Sequence, residues 1–244
     1  MKLLQKTIEQ IGDLDNEVME RARIRVDNLI KPPKSLGRLE TLAVQLAGIT
    51  GKINPVVDKK AVIVMSADHG VYEEGISGNP QEVTVLQTLH FPKGVTGVCV
   101  LAKVSGARIV TVDIGVKVDL EPAEGLLIRK IKYGTDNMAK GPAMSREEAI
   151  KSLEVGIEVA TDEIKKGINL LGTGEMGIGN TTASTAILSV LGNYDPKDIT
   201  SRGAGTGVGG IEHKAKVIEK AIAINQPDAS DAIDVLAKVG GLEI

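Results

Sequence analysis

Apolar residues fall into two rhythms along the chain, one before residue 50 and another after it. Between Val18 and Ile30 they recur at helical spacing, through Val18, Met19, Ala22, Val26, Leu29 and Ile30. Pro32-Pro33 ends that helix, because proline has no amide donor and its ring clashes with the preceding turn. A second amphipathic helix opens near Ser35 and gathers Leu36, Leu39, Leu42, Ala43, Leu46 and Ile49 on one side. Residues 1–50 are therefore expected to form a small helical subdomain without a strand.

From Ala61 the rhythm changes. Ala61-Val62-Ile63-Val64-Met65 is a continuous, β-branched apolar run, as a strand buried on both faces requires, and it ends in Ser66-Ala67-Asp68-His69-Gly70. A helical region to Val104 and a strand over 108–113 complete a right-handed β-α-β unit. A further strand is expected over 126–131. Ser145 and Glu148 make a capping box for a long helix that stops at Gly167, and Ile168-Asn169-Leu170-Leu171 reads as the next strand. This alternation predicts an α/β fold over residues 51–244, an open, mostly parallel sheet with helices on both faces in a Rossmann-like three-layer arrangement. Ligands of such sheets bind beyond the carboxyl ends of the strands.

Composition narrows the function. Aromatic residues make up 2% of the chain, so base-stacking platforms for single-stranded nucleic acid have almost no material. A net charge of -3 removes the electrostatic footprint of a nucleic-acid or membrane-surface binder. Cys99 is the only cysteine, which forbids an internal disulfide and points to a reducing compartment. The start, Met1-Lys2-Leu3-Leu4-Gln5-Lys6, lacks the apolar stretch of a signal peptide, and a cytoplasmic protein is expected.

Three stretches could carry chemistry. Gly172-Thr173-Gly174-Glu175-Met176-Gly177-Ile178-Gly179-Asn180-Thr181-Thr182 follows a strand and opens a helix, a geometry that offers backbone amides to a phosphate, or else a plain tight turn. Its glycines also satisfy the dinucleotide fingerprint of an oxidoreductase. However, the ribose-binding acid that fingerprint needs is replaced downstream by the turn Gly192-Asn193-Tyr194-Asp195-Pro196. A second glycine run, from Gly203 to Gly210, precedes a helix carrying His213 and Lys214. Lys214 is either a cation for a phosphate or a solvated helix lysine. The third stretch is Asp68-His69-Gly70, at the end of a buried strand, where a lone histidine is more often structural. The histidines His69, His90 and His213 show no metal-ligand spacing, so no metal or cofactor is assigned.

These motifs, in order and spacing, resemble one family. Asp27 to Glu40 (DNLIKPPKSLGRLE), Ala67-Asp68-His69-Gly70-Val71, the run from Gly174 to Thr182, and Ala223-Ile224-Asn225-Gln226-Pro227 are similar to nicotinate-nucleotide–dimethylbenzimidazole phosphoribosyltransferases. The resemblance implies transfer of phosphoribose from nicotinate mononucleotide to 5,6-dimethylbenzimidazole, with inversion at the anomeric carbon, in cobalamin biosynthesis. It implies a homodimer. It also places Glu175, Gly177, Asn180, Thr181, Gly203 and Lys214 in the phosphoribosyl-binding set, and Gln87, Asn79 and Pro80 on the benzimidazole side. Asp68 joins the candidates by its position. Members of that family run on further and carry a general-base glutamate in a Gly-Glu-Gly-like turn. The resemblance puts that residue beyond Ile244, so no catalytic residue is assigned and a truncated chain is expected. The competing reading is a non-catalytic nucleotide-binding or regulatory module that has lost its catalytic C-terminal segment.

Overall fold

The computed structural model of the protein describes residues 2–244. Leu4–Asp58 and Lys59–Ile244 fall into separate compact units.

The N-terminal stretch holds three helices, α1 (Lys2–Glu9), α2 (Asn16–Asp27) and α3 (Arg38–Thr50). The apolar rhythm does not reveal α1, and it sets α2 too late and the start of α3 too early. Asp15 caps α2 by accepting a bond from the Val18 amide. That helix stops at Asp27, before the apolar rhythm ends, and α3 starts only at Arg38. Between them Lys34 and Gly37 both take positive φ, which no helix tolerates. Val18 and Ala22 of α2 bury against Val44 and Ala47 of α3.

The larger unit is built on a four-stranded parallel sheet of order β3-β2-β1-β4. Its elements in chain order are β1 (Lys60–Ala67), α4 (Val83–His90), α5 (Gly97–Ser105), β2 (Ala107–Gly115), β3 (Leu126–Ile128), α6 (Arg146–Lys165), β4 (Leu170–Met176), α7 (Asn180–Gly192), α8 (Pro196–Ile199), α9 (Gly210–Asn225) and α10 (Ala232–Val239). A short 3-10 turn, Gly70–Glu74, follows β1.

Alternate residues of β1 and β2 serve the two faces of the sheet. Ile63, Met65, Val110 and Val112 pack on Val155 and Val159 of α6. Val62, Val64 and Ile109 pack on Phe91, Val98 and Cys99, around α4 and α5. Helices therefore cover both faces, as the continuous apolar runs require. The capping box is present: Ser145 and Glu148 exchange side-chain and backbone bonds at the start of α6.

All four strands differ in their bounds from the reading of the sequence, β2 by running on to Gly115. Strand β3 stops at Ile128, and Lys130 instead reaches back with its ammonium to the carbonyls of Val116 and Val118. Strand β1 continues through Ala67, which brings Asp68 and His69 directly off the sheet. The largest shift is in β4. It starts two residues later than expected and runs through Gly172 and Gly174 to Met176, so half of the expected glycine loop is strand. After α10, residues 240–243 turn back into the core, and Leu242 packs beside Ala67 and Ile114.

Candidate functional site at the carboxyl ends of β1 and β4

Strands β1 and β4 lie side by side, with Met65 opposite Glu175 and Ser66 opposite Met176. Asp68, His69 and Glu175 thus leave the sheet at one end. The turn that follows β4 is only Gly177-Ile178-Gly179, and α7 begins at Asn180. Glu175 is accordingly a strand residue rather than a loop residue. Its carboxylate, partly open to solvent, accepts a bond from the Asn180 side-chain amide.

Two helix starts converge beside this strand end. Gly179 and Gly209 precede α7 and α9 with positive φ, and neither supplies a side-chain cap. Uncapped helix N-termini favour an anion. Lys214, in the second turn of α9, is buried at 2% exposure rather than solvated. Its ammonium donates to the Thr181 hydroxyl at 2.6 Å and to the Ser201 carbonyl at 3.3 Å. Burial pushes the Lys214 pKa below its ordinary value, because the charged form loses water. Gly203 joins this cluster. A Cβ there would lie 2.7 Å from the Thr181 hydroxyl and 3.5 Å from the Lys214 ammonium, and its φ of +58° suits glycine. The structure thus brings Thr181, Gly203 and Lys214 into one cluster, and sets Asn180 and Glu175 next to it through α7.

The strand-end histidine proves to be half of an ion pair. His69 Nε2 lies 2.5 Å from Glu243 Oε1, with both side chains fully buried. Burial opposes a charged His69, but the Glu243 carboxylate outweighs it, with Asp68 and Glu175 adding, and holds the imidazole above its ordinary pKa. Asp68 accepts the Lys117 amide at 2.8 Å on Oδ2, and burial pushes its carboxyl up. Glu175 is pushed up as well, first by burial and then by the charge of Glu243, against the Asn180 amide and His69. The Thr84 hydroxyl faces Asp68 and accepts the Ile178 amide at 3.0 Å, so α4 holds the turn after β4.

The benzimidazole-side candidates divide. Gln87 sits one helical turn after Thr84 and lines a cleft of about 410 Å³ with Leu86, His90, Val95, Thr96 and Gly97. Asn79 donates from its side-chain amide to the Ala204 carbonyl at 3.2 Å, which ties the loop before α4 to the second glycine run. His213 extends the same tie through its contact with the Glu74 carbonyl, 2.6 Å away. Pro80, next to Asn79, is exposed.

A family model for phosphoribosyltransferases matches residues 11–244. The chain is 74% identical over its whole length to a protein of Alkaliphilus metalliredigens (strain QYMF) named nicotinate-nucleotide–dimethylbenzimidazole phosphoribosyltransferase, and covers 70% of that protein. A protein of the same name from Clostridioides difficile (strain 630) is 50% identical, with the same coverage of each. The chain belongs to this family. Its fold agrees with the crystal structure of CobT from Thermus thermophilus at a TM-score of 0.89 and 41% identity, over 93% of this chain and 68% of that one.

Within this phosphoribosyltransferase, Thr84 and Glu243 are the site residues that sequence reasoning missed. Thr84 carries a signal after the fact: with Thr88 it places a buried polar edge on α4, four residues apart, where an apolar helix face is the rule. Glu243 carries none. Among the described residues, no three His, Cys, Asp or Glu side chains converge as metal ligands. No helix there is long and apolar enough to cross a membrane.

Proposed function

We propose that the chain transfers the 5-phosphoribosyl group of nicotinate mononucleotide to 5,6-dimethylbenzimidazole, giving α-ribazole 5′-phosphate and nicotinate in cobalamin biosynthesis. The observation that carries this reading is the meeting of Lys214, Thr181 and Gly203 beside Glu175 and Asn180. One cluster offers a cation and a hydroxyl to a phosphate. Its neighbour offers a carboxylate and an amide to ribose hydroxyls. In this arrangement Gly177 and Asp68 shape the strand end, and Gln87, Asn79 and Pro80 border the azole.

The chemistry suits such a site. In the transfer the C1′–N bond to nicotinate breaks, a new C1′–N bond to the azole forms on the opposite face, and the azole loses its N–H proton. The pyridinium leaving group already carries positive charge, so it departs without an acid. Positioning the two reactants supplies most of the acceleration. We extend the reading to a cytoplasmic homodimer in which the helical segment 1–50 and the α/β segment 51–244 act as distinct domains.

Calorimetric titration of nicotinate mononucleotide into the protein, followed by an assay for nicotinate release on adding 5,6-dimethylbenzimidazole, tests the proposal. Saturable binding with release supports it. Binding without release favours a non-catalytic nucleotide-binding module, and absence of binding removes the site assignment.

A further inference from the structure

We propose that the buried His69–Glu243 pair is a positioning device for the phosphoribosyl site: it carries the Gly177-Ile178-Gly179 turn and thereby fixes where Glu175 stands. The inference rests on the reading that Glu175 holds the ribose.

Glycines flank the hydrogen bond of the pair on two sides. A Cβ on Gly177 would stand 2.7 Å from Glu243 Oε1 and 3.1 Å from His69 Cδ2, and would also strike the Ala67 carbonyl. A Cβ on Gly241 would stand 2.5 Å from His69 Cε1 and 2.8 Å from Glu243 Oε2. Neither glycine takes a positive φ. Gly241 is glycine for want of space around the pair, and Gly177 for want of space between the pair and the Ala67 carbonyl, which is the nearer obstacle. Gly177 is therefore a packing residue, and the turn that follows Glu175 rests on the Ala67 carbonyl and on the imidazole–carboxylate contact.

Fold stability is a poor explanation for such a pair. His69 Nδ1 and Glu243 Oε2 are buried without a partner among the described residues, so the pair is desolvated yet only partly satisfied. Pairs of this kind commonly add little stability over apolar residues of the same shape. What the pair does is local. Its two charges act on Glu175, and its atoms support the backbone two residues further on. The Thr84 hydroxyl holds the next residue, Ile178, from the side of α4. Removing the pair frees the turn on one side, so the ribose carboxylate loses its place while the phosphate cluster on α7 and α9 keeps its own bonds.

The test compares two ligands on the whole chain, nicotinate mononucleotide and inorganic phosphate, by calorimetry. Glu243→Ala and Glu243→Asp each withdraw the acceptor from His69. Both should weaken the nucleotide about tenfold or more, the cost of one lost buried hydrogen bond and a displaced group, and leave phosphate affinity unchanged. Glu243→Gln keeps an acceptor at the same reach and should restore nucleotide affinity to within about threefold of wild type. Leaving His69 unpaired in the core destabilises the Ala variant most, so the Asp variant decides if the Ala variant does not fold. Nucleotide affinity equal to wild type in Glu243→Asp would overturn the inference alone. So would phosphate affinity falling in step with the nucleotide, which marks a merely structural role. A wild-type chain that binds phosphate but no nicotinate mononucleotide would overturn the reading of the site, and this inference with it.

Discussion

The Lys214 ammonium donates to the Thr181 hydroxyl at 2.6 Å, and that bond ties α9 to α7 where both helices begin. The two glycine runs, separate in sequence, thereby present one surface. The bond also leaves a buried cation beside two uncapped helix starts, an arrangement that a phosphate dianion would complete.

Lys214→Met removes the cation and keeps the stem. Charged hydrogen bonds contribute about 1.5–3 kcal/mol, so affinity for nicotinate mononucleotide should fall about tenfold to a hundredfold. Because burial disfavours the Lys214 charge, the same variant should melt at a higher temperature than wild type. Calorimetry and thermal unfolding on one sample check both directions. A loss of affinity with a lower melting temperature contradicts the assignment.

Gly203→Ala should act through the same cluster. The added methyl meets the Thr181 hydroxyl and must adopt a φ of +58°, so the loop has to move off α7. Overpacking and left-handed strain each cost about 1–3 kcal/mol, and phosphate affinity should drop by about tenfold. Gly203 lies in an exposed loop, so the far-ultraviolet circular dichroism of the variant should match wild type.

The Glu175 carboxyl titrates above its ordinary value of 4.5. Ribose hydroxyls need the carboxylate form as acceptor, so nucleotide affinity should fall on the acid side as pH drops through that raised value, at a pH above 4.5. Glu175→Gln should bind weakly at every pH and lose this acid limb. Affinity measured from pH 4 to 8 on both proteins decides it.

His69 gives a stability signature of its own. Its folded pKa is raised above the ordinary 6.5, so its contribution is complete below pH 6.5 and is lost as pH rises through the folded value. Glu243, Asp68 and Glu175 face it, and the raised Asp68 and Glu175 carboxyls shift stability in the same direction. His69→Gln should therefore have a flatter melting-temperature profile between pH 6 and 9 than wild type. Parallel profiles would show that His69 does not carry a proton in the fold.

The sheet was legible where burial is signalled by side chains. The apolar runs in β1 and β2 predict two central strands covered on both faces, and the capping box marks the start of α6 within a residue. β4 was legible only at its first residues. Gly172 and Gly174 read as loop by propensity, yet they lie in the strand because they pair with Val62 and Val64 of β1. Tertiary contact overrides propensity there. The two helix starts that meet at Thr181, Gly203 and Lys214 were legible because glycine runs next to helix starts are local patterns. The bond from Lys214 to Thr181 was not, since 33 residues separate them and helical spacing alone cannot tell a buried lysine from a solvated one. Glu243 was hidden for a simpler reason: no local pattern links it to a histidine 174 residues earlier.

That separation also sets an order of events when the chain is made. The sheet order lets β1, β2 and β3 pair as soon as they emerge from the ribosome, but His69 lacks its hydrogen-bonded carboxylate until Glu243 arrives. Closing so long a loop carries an entropic cost that packing repays only late. Until then a strand end meant for the interior stays wet, and the nascent protein holds its scaffold before its ligand pocket. The site thus matures after the sheet, and hydrogen exchange should find residues 68–70, 177–179 and 240–243 opening together as one unit.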